Sequence, residues 1–150
     1  VHSRWTFADG LVGVASGLVV GLIAVPFMTP TAVPATLGTL VTEVGQALVD
    51  EVVLRLFLVT ALGWLLLRWH RVRVPEAAAG AVVLAAAVQT ILYWPATVAI
   101  GFPAWTGAAA FLLAVAVLPA LVFGTLFWRR GFGTALLANA TAVLAIALLI

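Results

Sequence analysis

The sequence predicts an all-α fold, a polytopic membrane helix bundle with about five transmembrane helices. Three observations predict it. The 150 residues are 65% hydrophobic and 8% charged, with mean hydropathy +1.27, against about 25% charge and 45–50% apolar content in a soluble domain. Apolar runs of the ~20 residues needed to cross a hydrocarbon core of ~30 Å recur along the chain. Arginines flank these runs in alternate connections only, as cytoplasmic segments of helical membrane proteins do. A spanning barrel would need alternating strands of about ten residues, and runs such as 77–88 do not alternate.

Each element follows from these runs. The first span covers about residues 7–28 and is closed by Pro26 and Pro30. Its Gly13, Gly17 and Gly21 lie four apart on one helical face. Such series let backbones approach closely and predict packing within the bundle rather than a specific dimer. No small-x-small cleavage site follows, so this span is expected to stay in the protein rather than leave as a signal peptide. The second span lies within 36–69. That stretch would reach about 51 Å as one helix, too long for a single crossing. Its first part, Thr36 to about Gln46, is expected to extend outward or lie in the outer interface. The third span covers about 77–100 with Pro95 near its end, the fourth about 105–128 interrupted by Pro119, and the fifth about 134–150. No linker or internal repeat divides the chain, so residues 1–150 read as one integral membrane domain.

Charge sets the expected topology. Arg4 precedes the first span, Arg68, Arg71 and Arg73 lie between the second and third, and Arg129 and Arg130 between the fourth and fifth. The connections 29–35 and 101–104 carry no charge. Five crossings put all six of these arginines on one side. By the positive-inside rule that side is cytoplasmic, with the N-terminus inside and the C-terminus outside in a multi-pass protein of the cell membrane. Arginine in place of every lysine, with abundant Ala, Val and Gly, points to a GC-rich prokaryotic genome. The lipid bilayer is the expected surrounding. Nucleic-acid binding needs clustered cations and is not expected at a net charge of +2. The apolar content excludes disorder. Without cysteine there is no disulfide, thiolate metal site or Cys nucleophile.

Ionisable groups inside a span are costly and face the bundle interior or a water cavity. Asp50, Glu51 and Arg55 form such a group, preceded by Glu43 and Gln46. Positions 43, 46 and 50 share a helical face, and Glu51 and Arg55 form an acid-to-base pair at i, i+4. At about 1.5 Å per residue, Glu51 lies about 25 Å above Arg68, Gln89 about 20 Å and Tyr93 about 25 Å above Glu76, and Asn139 only about 13 Å above Arg130. With Thr90 and Thr141, three helices aim polar groups at the middle and outer half of the bundle. The cluster reads either as a hydrogen-bonded network tying the helices together or as a water-accessible site opening toward the outer leaflet. His2 and His70 sit at the inner boundary, so neither a His/His/carboxylate metal site nor another metal or cofactor site is expected. Ser3 and Ser16 lie in the opposite half from Asp50, which removes a Ser/His/Asp triad.

The run Asp50-Glu51-Val-Val-Leu-Arg55-Leu-Phe57-Leu58 resembles the Glu-Glu-x-x-x-Arg motif of the CPBP (Abi) family of intramembrane proteases, which includes the CAAX prenyl endopeptidases and bacteriocin-immunity proteins. The run from Val122 through Phe127-Trp128-Arg129-Arg130-Gly131 to Asn139 resembles the family's closing region, where an aromatic-Arg-x-Gly turn precedes a helix with a His-x-x-x-Asn pair. Gln89-Thr-Ile-Leu-Tyr93-Trp-Pro95 stands where the family has Phe-x-x-x-His. The resemblance covers about residues 36–150. It implies that Asp50, Glu51, Tyr93 and Asn139 form the catalytic set if the protein is active, with the matching pair Glu51 and Arg55 mainly structural. The family's first Glu falls on Asp50, its two His on Tyr93 and Asn139, and its Asn on Val143.

These departures shape the expected function. Loss of both His removes the groups that would polarise a carbonyl or orient water. The leading expectation is a divergent member that acts by binding a peptide, a lipidated tail or a membrane partner. One alternative is an active intramembrane endopeptidase in which Asp50 and Glu51 activate water while Tyr93 and Asn139 donate to an oxyanion. A small transporter or channel subunit ranks last, because 59–67 and 77–88 offer no polar path through the inner half.

Overall fold

A computed structural model describes residues 6–28, 36–70, 73–100 and 105–149, all of whose regular elements are helical. They form five rods. The first is α1, Phe7–Met28. The second runs through α2 (Leu37–Asp50), a π-helical segment (Glu51–Val59) and α3 (Thr60–His70). The third is α4, Val74–Ile100. The fourth runs through α5 (Trp105–Leu112), a π-helical segment (Leu113–Val117) and α6 (Leu118–Arg130). The fifth is α7, Phe132–Leu149. Four helical stretches are long and apolar enough to cross a membrane: Phe7–Phe27, Val74–Pro95, Gly107–Arg130 and Phe132–Leu149. The second rod, which carries Glu43, Asp50, Glu51 and Arg55, is not among these four. Leu11, Leu22, Ile91 and Leu92 are exposed. An apolar exterior of this kind suits lipid and not water. The chain is an all-α, multi-pass membrane bundle.

Local chemistry sets the helix ends. Thr6 and Asp9 cap α1 reciprocally: the Thr6 amide donates to Asp9 Oδ2 at 2.9 Å, and the Asp9 amide donates to Thr6 Oγ1 at 3.3 Å. Thr36 and Thr39 repeat this exchange at the start of α2, and the Arg73 amide donates to Glu76 Oε2 at the start of α4. These exchanges satisfy amides that have no partner within a helix. Gly131 ends α6 at φ 93°, its amide donating to the Phe127 carbonyl. A residue with a Cβ is strained there. Pro119 does not break the fourth rod. Its ring crowds the carbonyl four residues back, which is Val115, inside the segment Leu113–Val117. The wider π turn removes that conflict.

Small residues bring the rods together. On α1 a Cβ at Gly13 would meet the Thr134 carbonyl at 2.9 Å, and one at Gly21 the Ala142 carbonyl at 2.8 Å. Gly17 faces the Ala138 carbonyl between them. The two helices therefore run parallel, with glycine against Thr134, Ala138 and Ala142. The expected intramolecular use of the glycine series is what the fold contains. Elsewhere the second rod runs antiparallel to α4, with Gly63 against Ala81 and Leu66 against Gly80, and Val59 shares a buried cluster with Ala81, Val82 and Ala85. Gly124 admits the side chain of Val82, which would lie 2.9 Å from a Cβ there. The fold thus gathers Asp9, Arg68, Arg73, Arg129 and Arg130 at one end, where Arg130 Nη1 donates to Asp9 Oδ1 at 2.7 Å. Arg4 and Arg71 lie outside the described residues.

Candidate functional site

The site forms where the π-helical segment meets α7. Glu51 opens that segment and is 0% exposed. Its Oε2 accepts a hydrogen bond from Nδ2 of Asn139 at 3.1 Å, across 88 residues of sequence. A buried carboxyl group needs such donors, because removing it from water without them is expensive. Counting 1.5 Å per residue puts Glu51 about 12 Å higher than Asn139 when Arg68 and Arg130 are taken as level, so the contact corrects that expectation. Two features close the gap. The π turns of Glu51–Val59 rise less per residue than an α-helix, and Gly63 lies against the Trp128 ring, which sets Arg68, five residues further on, beyond the level of Arg130, two residues past Trp128.

The third rod packs alongside the second and antiparallel to it, with Gln89 on the Glu51 side of the contact between Gly63 and Ala81. Gln89 is itself buried, 5% exposed. Tyr93, one turn on, is half-buried and packs against the apolar cluster of Ala24, Phe111, Leu112, Ala114 and Val115. Buried Thr97 donates its hydroxyl to the Tyr93 carbonyl at 3.0 Å. Two hydroxyls expected to face the cluster are turned to their own helices. Thr90 donates to the Ala86 carbonyl at 2.8 Å and Thr141 to the Leu137 carbonyl at 2.7 Å. At and beyond the start of the second rod, Thr36, Thr42 and Gln46 are exposed and Thr39 is half-buried. The side chains of Glu43, Asp50 and Arg55 lie outside the described residues, so the i, i+4 pairing of Glu51 with Arg55 is untouched by these distances.

Two buried polar residues, Thr97 and Thr134, escaped sequence reasoning. Thr134 is 0% exposed in the first turn of α7, and its Oγ1 has no hydrogen-bond partner among the described residues. The signal that locates it is the spacing Thr134-x-x-x-Ala138-x-x-x-Ala142, a small-residue series matching the glycines of α1.

The chemistry open to the pair is limited. An amide donates to a carboxylate as an imidazole would, but takes up no proton near neutral pH. Among the described residues no group of three or more His, Asp or Glu is placed to hold a metal ion. The arrangement ties the second rod to α7 by a bond of roughly 0.6–2 kcal/mol, the range for such bonds in membranes. No family model, curated protein or solved structure matches the chain.

Proposed function

We propose that this membrane protein is a divergent CPBP-like bundle that acts by binding, holding a hydrophobic or lipidated peptide or a membrane partner without cleaving it. The observation that supports this reading is the hydrogen bond from Asn139 to Glu51 at 3.1 Å. The resemblance assigns these positions to a carboxylate and a histidine of one site, and the two positions meet. Asparagine in the histidine position retains a donor and gives up the base. A carboxyl group that is 0% exposed suits a tie between helices better than the activation of water, which needs water beside the base.

The test is incubation of the purified chain in nanodiscs with a prenylated peptide carrying a photoreactive group, followed by mass spectrometry. The expected result is a cross-linked adduct and no peptide fragments, with the same outcome for Asp50→Ala. Fragments that appear with the unaltered chain and vanish in Asp50→Ala would overturn the reading and make the protein an endopeptidase. Arg55→Ala is expected to lower the unfolding midpoint, in line with a structural role for that position.

A further inference from the structure

At the arginine-bearing end, the second rod and α6 meet through an aromatic contact. Gly63 lacks a side chain, and the ring of Trp128 fills the space: a Cβ on Gly63 would lie 3.3 Å from it. The next residue, Trp64, is exposed. One turn on, Arg68 sets its guanidinium over the Trp64 ring, 5.5 Å from the centroid. On α6, exposed Arg129 follows Trp128. Trp64 and Arg68 on the second rod, and Trp128 and Arg129 on α6, thus flank the contact of Gly63 with Trp128.

Charge at this end is only partly compensated. Asp9 is engaged by Arg130, and Glu76 accepts the Arg73 amide. Among the described residues no carboxylate forms an ion pair with Arg68 or Arg129. The guanidinium fork matches phosphate oxygens in shape and charge, and stacking on Trp64 restricts where Arg68 can point. Tryptophan favours the level of lipid headgroups. Basic sites between transmembrane helices take anionic headgroups. We propose that this seam binds the phosphate headgroup of an anionic phospholipid. Arg68 and Arg129 take the phosphate, and Trp64 and Trp128 lie at the boundary of headgroups and acyl chains. A lipid is the occupant because exposed Trp64 and Trp128 favour the headgroup level and the charge beside them is positive.

The test uses the full chain in phosphatidylcholine vesicles containing either brominated phosphatidylglycerol or brominated phosphatidylcholine, with quenching of tryptophan fluorescence as the readout. Brominated phosphatidylglycerol is expected to quench more strongly at equal mole fraction. Arg68→Gln and Arg129→Gln are each expected to reduce that preference about fivefold, the factor equivalent to about 1 kcal/mol per surface cation. Both side chains are exposed, and circular dichroism checks that helix content is kept. Arg130→Gln removes the same charge where Asp9 already holds the guanidinium, and is expected to leave the preference unchanged. Equal quenching by the two lipids would overturn the proposal. So would an equal loss in Arg130→Gln, which would make the attraction a diffuse one. Displacement by added inorganic phosphate would overturn the lipid assignment.

Discussion

α7 makes two seams of opposite kind. Toward α1 it is dry and close. An offset of 121 residues separates Gly13 from Thr134, Gly17 from Ala138 and Gly21 from Ala142, so one register runs along several turns, and Asp9 bonds Arg130 at the end of α6, just before α7 begins. Toward the second rod α7 offers Asn139 to a buried carboxyl group, and the partner helix widens into π turns at that point. Lipid tails are as apolar as leucine, so helices in a membrane associate through close packing or polar bonds rather than through hydrophobic burial. The α1 seam uses the first means, repeated every turn. The seam with the second rod has a directional bond at its centre. The comparison teaches that the first seam is specified by absence of side chains and the second by their chemistry.

The largest effect should come from filling the dry seam. Gly17→Leu puts a side chain against the Ala138 backbone, which cannot move aside without shifting α7. It is expected to cost about 3 kcal/mol or more, measured by unfolding in mixed micelles. Gly45→Leu, where a Cβ would meet nothing within 4 Å, is expected to leave stability unchanged or raise it by up to about 1 kcal/mol, because leucine favours a helix over glycine. Equal losses at the two positions would break the comparison.

Next comes the polar seam. Asn139→Ala is expected to cost about 1–2 kcal/mol, because it leaves a buried carboxyl group short of a donor. Glu51→Gln retains an acceptor oxygen and should cost less. A double-mutant cycle on the pair should give a coupling of about 0.6–2 kcal/mol. A coupling near zero would remove Asn139 from the seam. Gly131→Ala tests the turn that feeds α7 into both seams, with an expected loss of about 1 kcal/mol from a Cβ at positive φ. The smallest effect is that of Asp9→Asn at the end of the dry seam. Its shift in unfolding midpoint should be visible at low ionic strength and vanish at high salt, since the bond to Arg130 is partly exposed.

Much of the fold was legible in the sequence. The apolar runs and Gly131 mark the rods, and the glycine series on α1 announces a close neighbour, whereas Pro26, expected to close the first span, lies inside α1. The candidate site was legible as a list of residues and not as a geometry. Glu51 and Asn139 stand out because a polar group in a span is expensive. Their contact did not, because the count ignores π turns and takes Arg68 and Arg130 as level, while packing of Gly63 on Trp128 offsets the two rods. Thr90 and Thr141 look equally polar in sequence, yet their hydroxyls reach the carbonyl four residues back and leave the site. Thr134 looked unremarkable until α1 covered it.

By itself, the sequence determined the solvent in which this protein lives, the helical class and the few places where polarity enters a span. Those follow from composition and from runs along one chain, since a backbone in lipid must satisfy its own hydrogen bonds. Only the tertiary structure decided which helix fills the glycine face of α1, that Asn139 donates to Glu51, and that Trp128 seats on Gly63 beside Trp64 and Arg68. Those facts depend on the relative register of rods far apart in sequence, which is set by packing and not by any local preference.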